Sequence, residues 1–206
     1  MRTAPTVLLV WCCACALGGS QPQYDYFVLT PTRVLARTSA SPAALTTADG
    51  SSIAIAEVSI PGYLDRESIV TRTDDYRVVY SKRDRWAEPL DQAFERTLRQ
   101  ELATMLAPVG IEVPPHARAP TYDLHVDVLR FERHGVDRVE LWARWILRGD
   151  GQPIDRGETR FQLAVSGAGT TAAVASLSEA ITRLANEIAD RVQAKTAGAR
   201  DRSTRS

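Results

Sequence analysis

The stretch RVELWARWILR, residues 138–148, contains the alternation of side chains that decides the fold of this 206-residue chain. Successive side chains of a β-strand point to opposite faces of a sheet, so alternate residues share a face. One face of this stretch is wholly apolar and consists of Val139, Leu141, Ala143, Trp145 and Leu147. The other face mixes charged with large apolar residues and consists of Glu140, Trp142, Arg144, Ile146 and Arg148. The sequence therefore predicts a strand with one face against a core and a second face of mixed character.

Strand-like runs lie on both sides of this stretch. TYDLHVDVLRF (121–131) precedes it and ETRFQLAVS (158–166) follows it, with short connections around Gly135 and residues 149–153. Short connections favour antiparallel neighbours, so the three runs predict an antiparallel meander. Further strands are expected upstream, where aromatic and β-branched residues concentrate, at residues 24–30, 52–59 and 75–81.

Two segments carry apolar residues at helical spacing. The first begins at Pro89, and its stripe consists of Leu90, Phe94, Leu98, Leu102 and Met105. The second spans about 171–194, and its stripe consists of Val174, Leu177, Ile181, Leu184, Ile188 and Val192. Two such stripes against one sheet require both helices on the same side. The predicted fold is a two-layer α/β domain, in which two long helices pack on one face of a mixed, mostly antiparallel sheet of about five to six strands. Strand order stays open.

All three cysteines of the chain lie in LLVWCCACALGG, residues 8–19. A short apolar run after Arg2 and before small residues is typical of a secretory signal, and it is shorter than the roughly 20 residues of a membrane-spanning helix. Ala14 before Cys15 resembles the lipobox of bacterial lipoproteins, in which the cysteine after the cut is acylated. A cut before Cys13 and a plain signal peptide are the alternatives. The predicted organisation is a signal peptide with lipobox at 1–14, an acylated Cys15 and short tether at 15–23, one domain at 24–195 and a disordered tail at 196–206.

Composition and motifs exclude several classes of function. The 25 basic and 25 acidic residues cancel, which argues against electrostatic binding of nucleic acid. The sequence contains neither a P-loop nor a nucleophile elbow. His125 and Asp127 share a strand face and could be two ligands of a metal site, so a periplasmic enzyme or metal-binding protein is the alternative function. The prediction is a protein without catalytic residues, metal or cofactor.

Two motifs are the most distinctive part of the chain: PGYLDRESIVTR (61–72) and DRWAEPL (84–90). Together with YFVL (26–29), VDVLRFE (126–132) and the apolar C-terminal helix, their order resembles the PqiC-like family of ABC-type transport auxiliary lipoproteins. The chain departs from that family at Glu67-Ser68, where proline and glutamine are common, and at Cys12, where a lipobox usually has leucine.

The resemblance implies a noncatalytic periplasmic subunit, held in the outer membrane by its lipid, in a system that moves lipids between the inner and outer membranes. The implied partner is an MCE-domain protein that crosses the periplasm, and the ATPase of the transporter would be another polypeptide. A homo-oligomer is a further possibility. The two motifs are longer than a turn and a helix start require, so four of their residues are predicted to shape a surface contacted by the partner or by neighbouring copies: Tyr63, Arg66, Arg72 and Trp86.

The mixed face of residues 138–148 supplies two more predicted contact residues. Trp142 and Ile146 are expected to form an apolar patch for self-association, MCE docking or the passage of lipid chains, because exposed apolar groups rimmed by charge commonly mark interaction sites. Two alternatives remain open. Tyr63 and Trp86 could be buried against the sheet, and Trp142 could be covered by the excursion of the chain after Pro31.

Overall fold

The computed structural model of the chain describes residues 23–32, 51–115 and 119–203. Within these ranges the strands are β1 (Asp25–Phe27), β2 (Ile53–Ser59), β3 (Ser68–Asp74), β4 (Arg77–Trp86), β5 (Tyr122–His134), β6 (Arg138–Gly149) and β7 (Gln152–Ala164). The helices are α1 (Leu90–Leu106) and α2 (Gly169–Ser203), and a 3₁₀ turn (Ala107–Val109) follows α1. The predicted signal peptide, the predicted acylation site Cys15 and residues 33–50 of the excursion after Pro31 lie outside the described residues.

The strands form one mixed sheet in the order β1-β4-β3-β5-β6-β7, and β2 lies beside β5 off this path. β5, β6 and β7 form the predicted antiparallel meander, whose ladders are the longest in the sheet. β3 and β4 form another antiparallel pair, whereas the β1–β4, β2–β5 and β3–β5 pairs are parallel. β2 pairs with the first half of β5 and β3 with its end, so two strands share one edge of the central strand.

Both helices pack on one face of the sheet, and the core lies between the two layers. The predicted apolar face of β6 is buried throughout, at Val139, Leu141, Ala143, Trp145 and Leu147. Phe94 of α1 meets Phe131 of β5 edge to face, with ring centroids 5.2 Å apart. Fully burying one side chain of this size stabilises a fold by about 1.5–3 kcal/mol. The predicted two-layer α/β fold is confirmed.

β3 is the strand that the sequence prediction lacked. Its buried residues Ile69 and Val70 are adjacent rather than alternating, and Arg72 is buried although it is charged. β4 also runs past the predicted end at Ser81, because its last residues pair with β1. The described sheet consequently has seven strands rather than five to six.

The first strand is shorter than predicted because the chain leaves the sheet after Phe27 and runs onto the helices. Leu29 is fully buried, and its carbonyl oxygen accepts a hydrogen bond from Arg96 of α1 at 2.9 Å. The backbone N–H of Thr32 donates to Glu101 of α1 at 2.8 Å, and the hydroxyl of Thr182 of α2 donates to the same carboxylate at 2.7 Å. The backbone N–H of Thr30 donates to the hydroxyl of Ser178 of α2 at 3.2 Å, so residues 28–32 are tied to both helices.

The second helix is longer than predicted. Its buried stripe continues beyond Val192 to Thr196, whose hydroxyl donates to the carbonyl oxygen of Val192 at 3.0 Å. α2 therefore passes the predicted end at residue 194 and includes most of the segment expected to be a disordered tail, up to Ser203. Among the described helices, none combines the length and the apolar character needed to cross a membrane.

Candidate docking face

The face of the sheet opposite the helices carries two glutamates side by side. Glu132 on β5 and Glu140 on β6 are direct cross-strand partners, and both side chains are fully buried. Like charges on directly opposite residues destabilise a sheet. Removing a carboxylate from water without giving it a partner costs a further several kcal/mol, on the order of the desolvation penalty of a buried ion. Cations must therefore compensate both carboxylates. We call this side of β5, β6 and β7, with Tyr63 and Arg72 beside it, the open face.

Arg72 compensates Glu132. Its Nε lies 2.5 Å from Oε1 of Glu132, and its Nη1 donates to the carbonyl oxygen of Asp75 at 3.2 Å. Burial alone would lower the pKa of Arg72, but Glu132 and Tyr63 outweigh that effect and raise it. The guanidinium also stacks on Tyr63, 5.7 Å from the ring centroid. Burial, aided by the hydrogen bond and charge of Glu132, raises the pKa of the Tyr63 hydroxyl to about 12. The motif residues Tyr63 and Arg72 are thus brought together.

Two arginines compensate Glu140. Arg160 Nε lies 2.5 Å from Oε1 and Arg130 Nη1 lies 3.2 Å from Oε2. Burial raises the pKa of Glu140, but the two arginines more than offset it, so the pKa is lower than usual. His134 Nδ1 lies 3.7 Å from the same carboxylate and would add to the pairing when protonated.

Trp142 lies between the same two arginines. The guanidinium carbons of Arg130 and Arg160 are 5.6 Å and 5.3 Å from its ring centroid. The indole N–H donates to Glu158 at 2.8 Å, and Arg144 Nε donates to the other oxygen of that carboxylate at 2.9 Å. These two bonds lower the pKa of Glu158. The indole N–H is bonded to Glu158, and each of the three neighbouring arginines is bonded to a glutamate, so Trp142 is a half-buried aromatic group held by a hydrogen-bonded network.

The arrangement suits recognition of a partner. The two buried glutamates are covered, and the charged side chains around Trp142 that reach solvent are two arginines and one glutamate: Arg144 is 56%, Arg160 50% and Glu158 49% exposed. Tryptophan and arginine are the residue types at which binding energy concentrates in interfaces. A guanidinium already oriented by a carboxylate loses little entropy when it binds another acceptor. The open face would therefore best accept a surface that carries carboxylates or carbonyl oxygens.

The other predicted contact residues lie elsewhere. Ile146 is half-buried on the same face of β6, about 13 Å along the strand from Trp142 at ~3.3 Å per residue. Arg66 is exposed at the β4 edge, with its guanidinium 5.3 Å from the ring centroid of Tyr80. Trp86 is only 5% exposed and belongs to the core, so the structure assigns it to packing and removes it from the contact surface.

The alternative metal site gains no third ligand. His125 lies beside Glu57 of β2, with Nδ1 3.5 Å from the carboxylate, and Asp127 accepts a hydrogen bond from Ser59 at 2.9 Å. Within residues 23–32, 51–115 and 119–203, no three side chains of the His, Cys, Asp and Glu types are grouped so that they could hold a metal ion.

Four residues of the open face were missed from the sequence: Arg130, Glu132, Glu140 and Arg160. The signal was present around Gly135, because a short turn in FERHGVDRVEL places Glu132 opposite Glu140. Two facing carboxylates at a hairpin require nearby arginines. Arg72 could not be assigned to Glu132 in this way, because it comes from the strand that the sequence prediction lacked.

Comparison with known proteins gives the family. A profile of the family described as ABC-type transport auxiliary lipoprotein component matches residues 34–189. Two relatives named Intermembrane transport lipoprotein PqiC, from Escherichia coli (strain K12) and Shigella flexneri, are each 31% identical over 102 residues. These matches cover 50% of this chain and 54% of each relative, so the chain spans about half the length of the curated relatives it matches.

Solved structures share the fold. The crystal structure of an uncharacterized protein superposes with a TM-score of 0.69 at 22% identity, over 82% of this chain and 99% of the other. A protein from Xanthomonas campestris superposes with a TM-score of 0.63 at 18% identity, over 87% of this chain and 99% of the other. The predicted resemblance is confirmed by the sequence match: the chain belongs to the family of ABC-type transport auxiliary lipoprotein components.

Proposed function

We propose that the chain is a noncatalytic periplasmic lipoprotein subunit of an ABC/MCE-type intermembrane lipid transport system. Its role is to dock the periplasm-spanning MCE-domain partner at the outer membrane, where an acyl group on Cys15 holds it. Membership of the transport auxiliary lipoprotein family and the likeness to relatives named intermembrane transport lipoprotein support this role.

The observation that carries the docking role is the open face around Trp142. No described helix covers this side of the sheet, although the side presents a large aromatic group and cations fixed in place. A sheet face that only met solvent would need no large aromatic side chain among its charged residues. The MCE partner is proposed to bind at Trp142, with Arg144 and Arg160 contacting its acceptors.

The same geometry favours docking over catalysis. A general acid or base needs a titratable group whose pKa is shifted toward neutral pH and whose proton can reach a substrate. Glu140 and Glu158 have lowered pKa values because arginines pair with them. The pKa of Tyr63 is raised to about 12, away from neutrality. These shifts are typical of an ion-pair network that fixes side chains.

Capture of the partner tests the proposal. We expect Trp142→Ala to weaken co-purification of the MCE-domain protein about tenfold or more, the usual effect of a central interface tryptophan. Tyr26→Ala is the control, because Tyr26 is an aromatic residue 63% exposed on β1, at the opposite edge of the sheet from β7. Melting temperatures of both variants show whether they are folded. A folded Trp142→Ala protein that captures the partner as wild type does would refute docking at this face.

A further inference from the structure

Two large apolar side chains of the described residues are almost completely exposed: Tyr76 at 99% and Val136 at 83%. Tyr76 lies in the turn between β3 and β4, and Val136 lies in the turn between β5 and β6. Neither side chain contributes to the core, so packing does not account for them. We call residues 75–76 and 135–137 the paired turns.

The paired turns lie side by side at one end of the sheet. β3 and β5 are parallel neighbours, with Arg72 opposite His134 just before the turns. The backbone N–H of Gly135 donates to the carbonyl oxygen of Arg72 at 2.8 Å, which joins the two strand ends directly. Tyr76 and Val136 therefore project from the same end of the molecule.

Charges around the paired turns are largely matched locally. Arg77 pairs with Asp74 at 3.0 Å, and Arg138 Nε lies 3.6 Å from Asp137. The guanidinium of Arg133 donates to the carbonyl oxygen of Val136 at 3.2 Å. Strong electrostatic binding is not expected at such a surface, whereas an aromatic residue with a polar tip suits the boundary between water and lipid.

The N-terminal end of β1 is directed toward this same end of the sheet. β1 is parallel to β4, with Asp25 opposite Asp84, so the N-terminal end of β1 is directed toward the Arg77 end of β4 and the paired turns. Asp84 and Arg77 are at most about 23 Å apart at ~3.3 Å per residue, because β4 is irregular between Tyr80 and Arg85 and its path along the sheet is shorter there. Residues 16–23 span at most about 27 Å when extended. An acyl group on Cys15 is therefore able to reach the level of the paired turns.

We propose that the paired turns rest on the membrane that holds the lipid anchor, with Tyr76 and Val136 at the boundary between headgroups and acyl chains. This inference rests on the proposed acylation of Cys15. The ligand is the lipid surface itself. With this contact, the paired turns would be the end of the sheet nearest the membrane, and the turn between β6 and β7 would face away from it.

Single cysteines test the contact, because Cys12, Cys13 and Cys15 are the only cysteines of the chain. The lipidated protein carrying Tyr76→Cys or Val136→Cys is labelled with the fluorophore NBD and reconstituted into vesicles of phosphatidylethanolamine and phosphatidylglycerol. Gln152→Cys is the matched control, since Gln152 is exposed at the start of β7, at the opposite end of the sheet. Protein without an introduced cysteine, treated with the same dye, gives the background from any remaining N-terminal thiol.

We expect nitroxide-labelled lipid to quench the fluorophore at positions 76 and 136 several-fold more than at position 152. All variants should float with the vesicles, and mass spectrometry should find the acyl group on the N-terminal peptide. If the variants float with the vesicles but the fluorophore at positions 76 and 136 is quenched no more than at position 152, the proposed membrane contact is wrong. The proposed acylation of Cys15 would be unaffected by that result. An unacylated protein that does not float would overturn the anchor, and the contact proposed from it as well.

Discussion

At the scale of single residues, Glu140 is a buried carboxylate that stays ionised. Burial raises its pKa, but hydrogen bonds from Arg160 and Arg130 lower it below the ordinary value of 4.5. The folded chain then binds fewer protons at this site than the unfolded chain does. The resulting stabilisation is present above the unfolded pKa and is lost as the pH falls through the lower, folded value.

We expect Glu140→Gln to lower the free energy of unfolding at pH 7 by about 1.5–3 kcal/mol, because charged hydrogen bonds to two arginines are lost. Urea titrations at pH 7 and about pH 3 measure this effect. The difference in unfolding free energy between variant and wild type should be smaller at the lower pH, where the carboxylate of the wild type becomes protonated. Glu158→Gln is the control: Glu158 also pairs with an arginine but is 49% exposed, so little change is expected. A gap of equal size at both pH values would show that the ionised form of Glu140 is not what stabilises the fold.

The candidate site was partly predictable at this scale. Trp142 stood out because alternation places a large apolar group on the charged face of its strand. For Trp86 the sequence left a contact surface and burial against the sheet both open, and the structure places it in the core cluster at 5% exposure. The pairing of Arg72 with Glu132 joins residues 60 positions apart, which no local pattern encodes.

At the scale of elements, the packing of β6 on β7 depends on one glycine. Gly157 is the cross-strand partner of Trp145, and a Cβ at position 157 would lie 2.6 Å from the indole carbons Cε2 and Cζ2. Trp145 is 1% exposed under the helices and cannot move aside. β7 therefore has a position where only glycine lets the largest core side chain lie flat against the strand.

We expect Gly157→Ala to destabilise the domain by about 1–3 kcal/mol through overpacking. Gly62→Ala is the control, because a Cβ there meets no atom within 4 Å. A double-mutant cycle with Trp145→Phe isolates the contact: the smaller ring should leave more room for the added methyl group, so the two substitutions should not be additive. Additive losses of stability would mean that the contact with the indole is not the cause.

The elements whose apolar residues recur at a regular strand or helix spacing were predictable from the sequence. The meander of β5, β6 and β7 alternates, and both helices carry continuous stripes, so their faces and layer followed from spacing alone. β3 was not recognised because its buried residues are adjacent and its charged residue is buried. β1 ended early because Leu29 gains more from burial against the helices than from continuing the ladder. Tertiary contacts thus overrode local propensity at the edge of the sheet.

At the scale of the whole molecule, the sheet is supported unequally. β5 is paired along both edges, with β6 on one side and with β2 and β3 on the other, and it lies under the helices. β1 has three residues, and among the described strands it pairs with β4 alone. Opening of the backbone should therefore cost almost the global free energy of unfolding in β5 and much less in β1.

Hydrogen exchange measured by mass spectrometry checks this difference. We expect peptides of β5 and β6 to exchange slowest, and residues 25–27 to exchange at least about tenfold faster, because edge segments open locally. The peptide of β7 serves as the comparison, because β7 is also an edge strand but is covered by α2. Its exchange rate should lie between those of β5 and residues 25–27. Protection of residues 25–27 equal to that of β5 would show that the domain opens only as one unit.

The parallel pairing of β1 with β4 has a mechanical consequence. A pull on the chain before Tyr24 acts along the axis of β1, so it loads the hydrogen bonds to β4 in shear, all at once, rather than peeling them open one by one. The next bonds in series are those of Leu29 with Arg96 and of Thr32 with Glu101, which pass the tension into α1. The bond from the backbone N–H of Thr30 to the hydroxyl of Ser178 passes it into α2. A strand of three residues opens easily by itself, but under such a load it is backed by these bonds, so traction between the proposed anchor and the proposed partner would be borne by the body of the domain.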